Sequence, residues 1–355
     1  MLAGLILLAA AGSASARDSP KKGLWATYEA NPAATFPIYR DLGVRTLLLS
    51  VGWDQVAKLK PTDARNPDDP AYRWPASIDA AIRTAPQFGM RTMVRVMFTP
   101  GWANGGRASN VPPARPADYT NFLRAAARRW PQVHLWQIWG EPNLQRWWAA
   151  TRFTGLRPPR TKPELRGPRE YARLLDASYG VLKSESPQNL VIGGNTFTAG
   201  DIRPLFWIPA MKLADGRPPR MDLYGHNPFT GRKIDMDAGS LGPGYADFND
   251  LDTLTSLLDR YQRRDRGKPG LRLFLSEFTA PTNVNDQFTF HFSEVGAARQ
   301  IADVLRVARA DKRIDTLGYY TLYDAAPQPN GLEDRRGLID PAGRRRPAYA
   351  AFRDG

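Results

Sequence analysis

Eight short apolar runs recur along the chain, each bounded by breakers, with helical patterns lying between them. They begin at Leu24 (LWATY), Arg45 (RTLLLSV), Arg91 (RTMVRVMF), Val133 (VHLWQIW), Leu190 (LVIGG), Met221 (MDLYGH), Leu271 (LRLFLSEF) and Thr316 (TLGYYTLY). Runs this continuously apolar read as strands covered on both faces, which requires a parallel sheet with helices outside it. Helical spacing places Tyr119, Phe122, Leu123 and Ala126 on one face; a second face carries Val295, Ala298, Ile301, Ala302, Leu305 and Ala308, with Ser293 as its N-cap. Eight such alternations in 355 residues predict an α/β fold of the (β/α)8 type, a closed barrel in one domain over residues 17–355. A doubly wound open sheet is the alternative. The stretch LWATYEANPAATF lacks the GxGxxG phosphate turn expected after its first strand.

The long Pro-, Gly- and Arg-rich segments, 58–74, 144–168, 230–250 and 325–340, all follow strands. In a barrel such loops gather at the carboxyl-terminal face, where active sites of this fold lie. Two glutamates stand at strand ends there: Glu141 closes the fourth run in WQIWGEPNL, and Glu277 closes the seventh in LFLSEFTAPT. Alternation along the seventh run puts Leu271, Leu273, Leu275 and Glu277 on one face, directed to the barrel mouth.

Facing carboxylates suit glycoside hydrolysis, one donating a proton to the leaving oxygen, the other attacking the anomeric carbon or activating water. Repulsion and partial burial separate their pKa values, so that one residue type serves both roles. The competing reading pairs both glutamates with strand arginines such as Arg95. The Gly-Glu-Pro-Asn turn, flanked by tryptophans, favours the catalytic one.

At these positions the sequence resembles the clan A glycoside hydrolases, most closely the family 39-like group of xylosidases, iduronidases and exopolysaccharide hydrolases. Trp139, Gly140, Glu141, Pro142 and Asn143 match that family's turn after strand four. Weaker matches are YRWPASIDAAI leading into FTPGWAN, the YGHNPF segment and the closing RRGLIDPAGRRRPAYAAF. The resemblance implies a retaining mechanism through a covalent glycosyl-enzyme, with Glu141 as acid/base, Glu277 as nucleophile and no cofactor.

It also implies that His226 bonds the reacting sugar or Glu277. Two positions depart from the family: Gly140 stands where relatives keep an Asn that bonds the sugar 2-hydroxyl, and Gln137 replaces a common Glu. Asn195, Asn227 or Gln137 could supply the missing amide. A glycan-binding barrel without turnover and a transglycosylase using the same residues are the alternatives.

Trp53, Trp102, Trp147 and Trp148 follow strand ends, where flat indoles can pack against sugar rings. Asn143, Asn195 and Tyr320 complete the expected substrate-binding set, whereas Trp74, Trp130 and Trp136 read as core. Three histidines without ligand spacing, and no cysteine, argue against a metal site.

The net charge is +14, which admits an acidic glycan among the possible saccharide substrates. Of the 49 basic residues 10 are Lys and 39 are Arg, spread along the whole length, so nucleic acid is not the expected partner. The opening MLAGLILLAAAGSASARDSP ends an apolar run in Ala14-Ser15-Ala16, the small-x-small pattern of a signal peptide over residues 1–16. Secretion or a cell-envelope location is therefore expected, with no stable membrane insertion after cleavage.

Overall fold

The computed structural model describes residues 21–26, 32–262, 267, 269–284, 288–324 and 333–355; the leader-like residues 1–16 lie outside the described residues, as does much of the 325–340 segment. β1 (Lys22–Trp25) is followed by α1 (Pro32–Asp41), and β2 (Thr46–Gly52) by α2 (Trp53–Val56) and α3 (Ala76–Thr84). β3 (Arg91–Met97) precedes α4 (Gly101–Asn104) and α5 (Pro116–Arg129); β4 (Leu135–Ile138) precedes α6 (Lys162–Glu185). β5 (Leu190–Phe197), α7 (Pro204–Ala210), β6 (Leu223–Asn227) and α8 (Leu251–Tyr261) come next. β7 (Arg272–Phe278), α9 (Glu294–Ala310), β8 (Ile314–Tyr319) and α10 (Pro347–Asp354) complete the chain. The strands pair in parallel in chain order and β1 closes on β8, giving a (β/α)8 barrel.

Strand alternation divides the apolar residues between two cores. Trp25, Leu48, Met93, Leu135, Ile192, Leu223 and Phe274 fill the interior, one from each of the first seven strands. Trp25, Leu48, Met93 and Leu135 are successive register partners, the layered filling expected of this architecture. Their neighbours Leu24, Leu47, Val94, Trp136 and Leu273 point outward into the larger core under the helices. Two residues further along, the inward positions turn polar: Ser50, Arg95 and Gln137 lie side by side in register. That change in character marks where the barrel floor ends and the mouth begins.

The buried face of α9 runs through Ala297, Ile301, Val304, Leu305 and Ala308, leaving Val295 and Ala302 of the expected face exposed. Two further expectations fail for identifiable reasons. Leu273 and Leu275 pack outward, Phe274 fills the interior, and the register of β7 against β8 shifts on both sides of this stretch. Such an irregularity reverses the side to which following residues point, and this brings Glu277 to the mouth by a different route from simple alternation. The segment 144–168 is not all loop either, since α6 begins at Lys162. Thr161 and Glu164 form a reciprocal capping box that starts the helix upstream of Pro168. Gly167 lets the helix approach closely, because a Cβ there would stand 2.7 Å from the Thr151 hydroxyl and 2.8 Å from its Cα.

At the opposite end of the barrel the buried Lys22 donates from Nζ to the Arg353 carbonyl at 2.8 Å, joining β1 to the last turn of α10. Among the described residues no helix is long and apolar enough to cross a membrane.

Candidate active site

Glu141 reaches the mouth through an unusual backbone. Trp139 and Glu141 have positive φ, 64° and 44°, as does Asn195 at 50°, conformations that cost a non-glycine residue roughly 1–3 kcal/mol each and persist only where surroundings impose them. The restraints are present. The Glu141 amide donates to the Asn195 carbonyl at 2.9 Å, and Asn195 Nδ2 donates to the Ile138 and Trp139 carbonyls. The Thr151 hydroxyl donates to the Pro142 carbonyl at 2.7 Å, and Asn143 bridges to the backbone of Phe197 and Ile202. The turn is thus held from β5 and from the loop that follows it.

Its carboxylate accepts from Asn227 Nδ2 at 2.9 Å, and the Ser276 hydroxyl donates to Asn227 Oδ1 at 2.6 Å. This chain fixes the orientation of the amide, so Asn227 presents a donor to Glu141. Burial and the negative charge of Glu277 push Glu141 up to about 7. Glu277 itself is an ion pair: Arg95 Nη1 lies 2.7 Å from its Oε1. The guanidinium is set by Ser50 Oγ at 3.2 Å and by the Trp25 ring 4.2 Å below it. One glutamate therefore pairs with a strand arginine, as the competing reading anticipated, while Glu141 accepts its hydrogen bond from an amide.

Both carboxylates line a cavity of about 300 Å³, at the low end of the roughly 300–1,000 Å³ of small-ligand sites. Gly140 and Trp147 form one wall, and Phe197, Phe229, Phe288 and Tyr320 supply apolar surface opposite a polar floor. Arg146 stands at the rim, Nη2 4.0 Å from Glu141 Oε2, and Arg336 pairs with Asp334 while lying 5.2 Å from the rings of Phe288 and Tyr320. Burial also raises the Tyr320 phenol.

The raised Glu141 pKa couples to stability. Because the folded value lies above the ordinary 4.5, the stability contributed by its protonated form is full below pH 4.5 and lost as pH rises through 7. Glu141→Gln, uncharged throughout, should gain stability over wild type across that window, by at most about 3 kcal/mol above pH 7. Thermal midpoints of both proteins at pH 5 and pH 8 check this; equal shifts at both values contradict it.

Of the expected binding residues, Trp147 and Tyr320 reach the cavity with the two glutamates. Trp53 does not: it is fully buried against Trp102, Tyr119 and Phe122. Trp102 packs on it and donates to the Ala57 carbonyl. Trp148 is buried against Trp139 and Tyr171 and donates to the Gly167 carbonyl. Asn143 and Asn195 are spent on backbone, as described, and Gln137 lies buried beneath the mouth.

His226 touches neither Glu277 nor the cavity. It is fully buried, with Nδ1 2.8 Å from the Thr196 hydroxyl and Nε2 3.0 Å from the Ala246 carbonyl. The carbonyl requires the proton on Nε2, and burial lowers the imidazole to about 4, so the ring is neutral and structural. Trp130 and Trp136 are core, as expected, and Trp74 packs against that core.

Missed in the sequence were Arg146, Arg336 and the four phenylalanines Phe98, Phe197, Phe229 and Phe288; Phe197 ends β5, and the others come from loops after different strands. Arg95 had a usable signal: it is an inward position in β3, two residues past Met93.

No protein-family model matches the sequence, and no curated protein matches it. Solved structures do. A family 39 glycoside hydrolase from the gut symbiont Bacteroides cellulosilyticus aligns with a TM-score of 0.69 at 18% identity, over 95% of this chain and 63% of that one. A monomeric beta-xylosidase from Caulobacter crescentus gives 0.63 at 18% identity, over 94% and 67%. A beta-glucuronidase from Bacteroides uniformis gives 0.57 at 13%, over 94% and 35%. At these identities the likeness is one of fold, and it agrees with the barrel expected from the sequence. The chain spans only 63% of the length of the first of these structures.

Proposed function

We propose that the protein is a retaining glycoside hydrolase acting on a poly- or oligosaccharide. Glu277 is the nucleophile: its carboxylate attacks the anomeric carbon while Glu141 protonates the departing glycosidic oxygen, leaving a glycosyl ester on Glu277. Glu141, now a carboxylate, takes a proton from water, which opens the ester and returns both groups to their starting states. The observation that carries this reading is the asymmetry of the pair. Within one cavity, Glu141 is buried, bonded by an amide and raised to about 7, and Glu277 is held by a guanidinium. That is a proton donor facing an anion at neutral pH.

The same reading accounts for Gly140. A Cβ there would stand 3.3 Å from Arg95 Cδ and 3.4 Å from Nη1, so a side chain at this position would press against Arg95, which would have to give by a few tenths of an ångström. In this reading Arg95 replaces that side chain as the donor on the nucleophile's side of the sugar. Gly140→Asn, although it restores the family residue, should crowd Arg95 and loosen its pairing with Glu277, lowering kcat/KM by at most about 10²-fold, the loss that a misplacement of an ångström causes. Steady-state kinetics with a thermal midpoint for each protein tests this. Equal or improved activity in the variant would refute Arg95's role.

The leader-like N-terminus supports export, which N-terminal sequencing of protein recovered from culture medium would test. The reaction itself is tested by screening polysaccharides with wild type beside Glu141→Ala and Glu277→Ala.

A further inference from the structure

A second concavity, of about 780 Å³, lies on the outer surface of the barrel between α6 and the 212–216 loop. It is lined by Lys162, Arg166, Arg169, Arg173 and Lys212, with Glu170 as its single carboxylate. The four α6 residues follow the i, i+3/i+4 spacing of one helix face, so their stems are spaced about 4.5–6 Å apart along the axis. Glu170 serves Arg166 at 2.9 Å and Arg173 at 3.9 Å. Lys162, Arg169 and Lys212 have no carboxylate partner among the described residues.

This is unlike much of the molecule, where surface arginines are matched: Arg220 with Asp176, Arg313 with Asp259, Arg344 with Glu294, and Arg157 with Glu164 immediately before the groove. A row of like charges weakens a helix, and cations in its first turns oppose the macrodipole. The groove therefore carries more positive charge than its one carboxylate balances, at a cost to its own helix, with Lys212 Nζ lying 6.0 Å over the Tyr261 ring.

We propose that this groove is a second, non-catalytic site that holds an acidic glycan chain. The proposal rests on the glycan-directed reading of the catalytic cavity. Carboxylated sugars fit because guanidinium groups grip carboxylates bidentately, and a linear polymer offers them repeatedly along a row. Single-stranded nucleic acid fits less well, since no aromatic side chain lines the groove to stack a base. α6 is also tied to the mouth loop, through the Trp148 bond to Gly167 and the contact of Gly167 with Thr151. A polymer held on α6 is thereby bound to an element packed against the loop that carries Trp147 of the cavity, raising its local concentration at the same molecule.

The test uses full-length Glu277→Gln protein, which removes the proposed nucleophile, with and without the added pair Arg169→Glu and Lys212→Glu. Binding to polygalacturonate, neutral dextran and a DNA duplex is measured by titration calorimetry at two salt concentrations. The expected result is salt-sensitive binding of polygalacturonate, none of dextran, and at least about tenfold weaker binding after the charge reversals. The same two reversals in otherwise wild-type protein should leave turnover of a small glycoside unchanged. Circular dichroism checks folding, and Arg169→Gln with Lys212→Gln serves if the reversals disturb it.

Absent polygalacturonate binding, or binding untouched by both variant pairs, overturns the proposal. DNA bound as tightly as polygalacturonate overturns it too, by showing a general polyanion surface. If polygalacturonate binds through the groove while wild type cleaves no glycan, the hydrolase reading fails and the binding site stands.

Discussion

Glu277→Gln is expected to abolish glycan cleavage, with kcat falling at least about 10⁴-fold, as loss of a covalent nucleophile typically does. The substitution keeps the size of the side chain and leaves an oxygen for Arg95 Nη1, so the packing around Trp25 and Ser50 should survive. What it removes is the anion proposed to form the glycosyl ester. A second consequence follows from the electrostatics of the pair: without the charge of Glu277, one of the causes raising Glu141 disappears, and the pKa of Glu141 should fall from about 7. Titration of Glu141 by NMR in wild type and variant measures this independently of any substrate. Retained cleavage would exclude Glu277 as nucleophile, and an unchanged Glu141 would show that the two carboxylates do not interact.

The second large effect concerns Glu141→Ala. A natural sugar leaving group needs a proton as its bond breaks, so cleavage of oligosaccharides should fall by about 10²–10⁴. An aryl glycoside whose phenol departs readily as an anion needs no such help, and the first step on that substrate should be nearly unaffected. The glycosyl ester then accumulates, because the base that activates water is also gone. Azide, a nucleophile that requires no general base, should restore turnover and yield a glycosyl azide.

The pH profile gives the sign. As the proposed acid, Glu141 acts protonated in the first step, so wild-type activity should fall as pH rises through about 7, and this basic limb should vanish in the variant. Equal losses on both substrate classes, with no azide rescue, would assign Glu141 a structural role.

The fold was legible because its signal is repeated: eight apolar runs alternating with amphipathic helices constrain the topology even where individual ends are misjudged. The fourth strand covers only Leu135–Ile138 of a longer apolar run, and the β7 irregularity breaks an alternation that the sequence follows without a visible fault. The two glutamates were legible for a related reason, since a carboxylate terminating a buried strand has few places to go. Their partners were harder. Asn143, Asn195 and His226 look like ligand donors in the sequence, yet buried backbone groups claim them, as the bonds to Phe197, Ile138 and Ala246 show.

The tryptophans divide in the same way. Trp147 and Trp148 are adjacent, but one faces the cavity and the other the core, a distinction fixed by the loop's course over α6. Phe229, Phe288 and Arg336 are far apart in sequence and meet only in three dimensions. Gly140 changed meaning once Arg95 was placed: what reads in the sequence as a missing side chain is a position packed closely against the Arg95 side chain of the neighbouring strand.

Covalent labelling addresses the retaining mechanism with Glu277 as nucleophile without the need for a known natural substrate. Wild-type protein, Glu277→Gln and Glu141→Gln are treated with a panel of cyclophellitol-type and 2-fluoro-sugar probes of different configurations, followed by intact-mass analysis and peptide mapping. The expected result is a single adduct on wild type with at least one configuration, mapped to Glu277 and absent from Glu277→Gln. An adduct on another residue, or no adduct from any configuration while a glycan still binds the cavity, would contradict it.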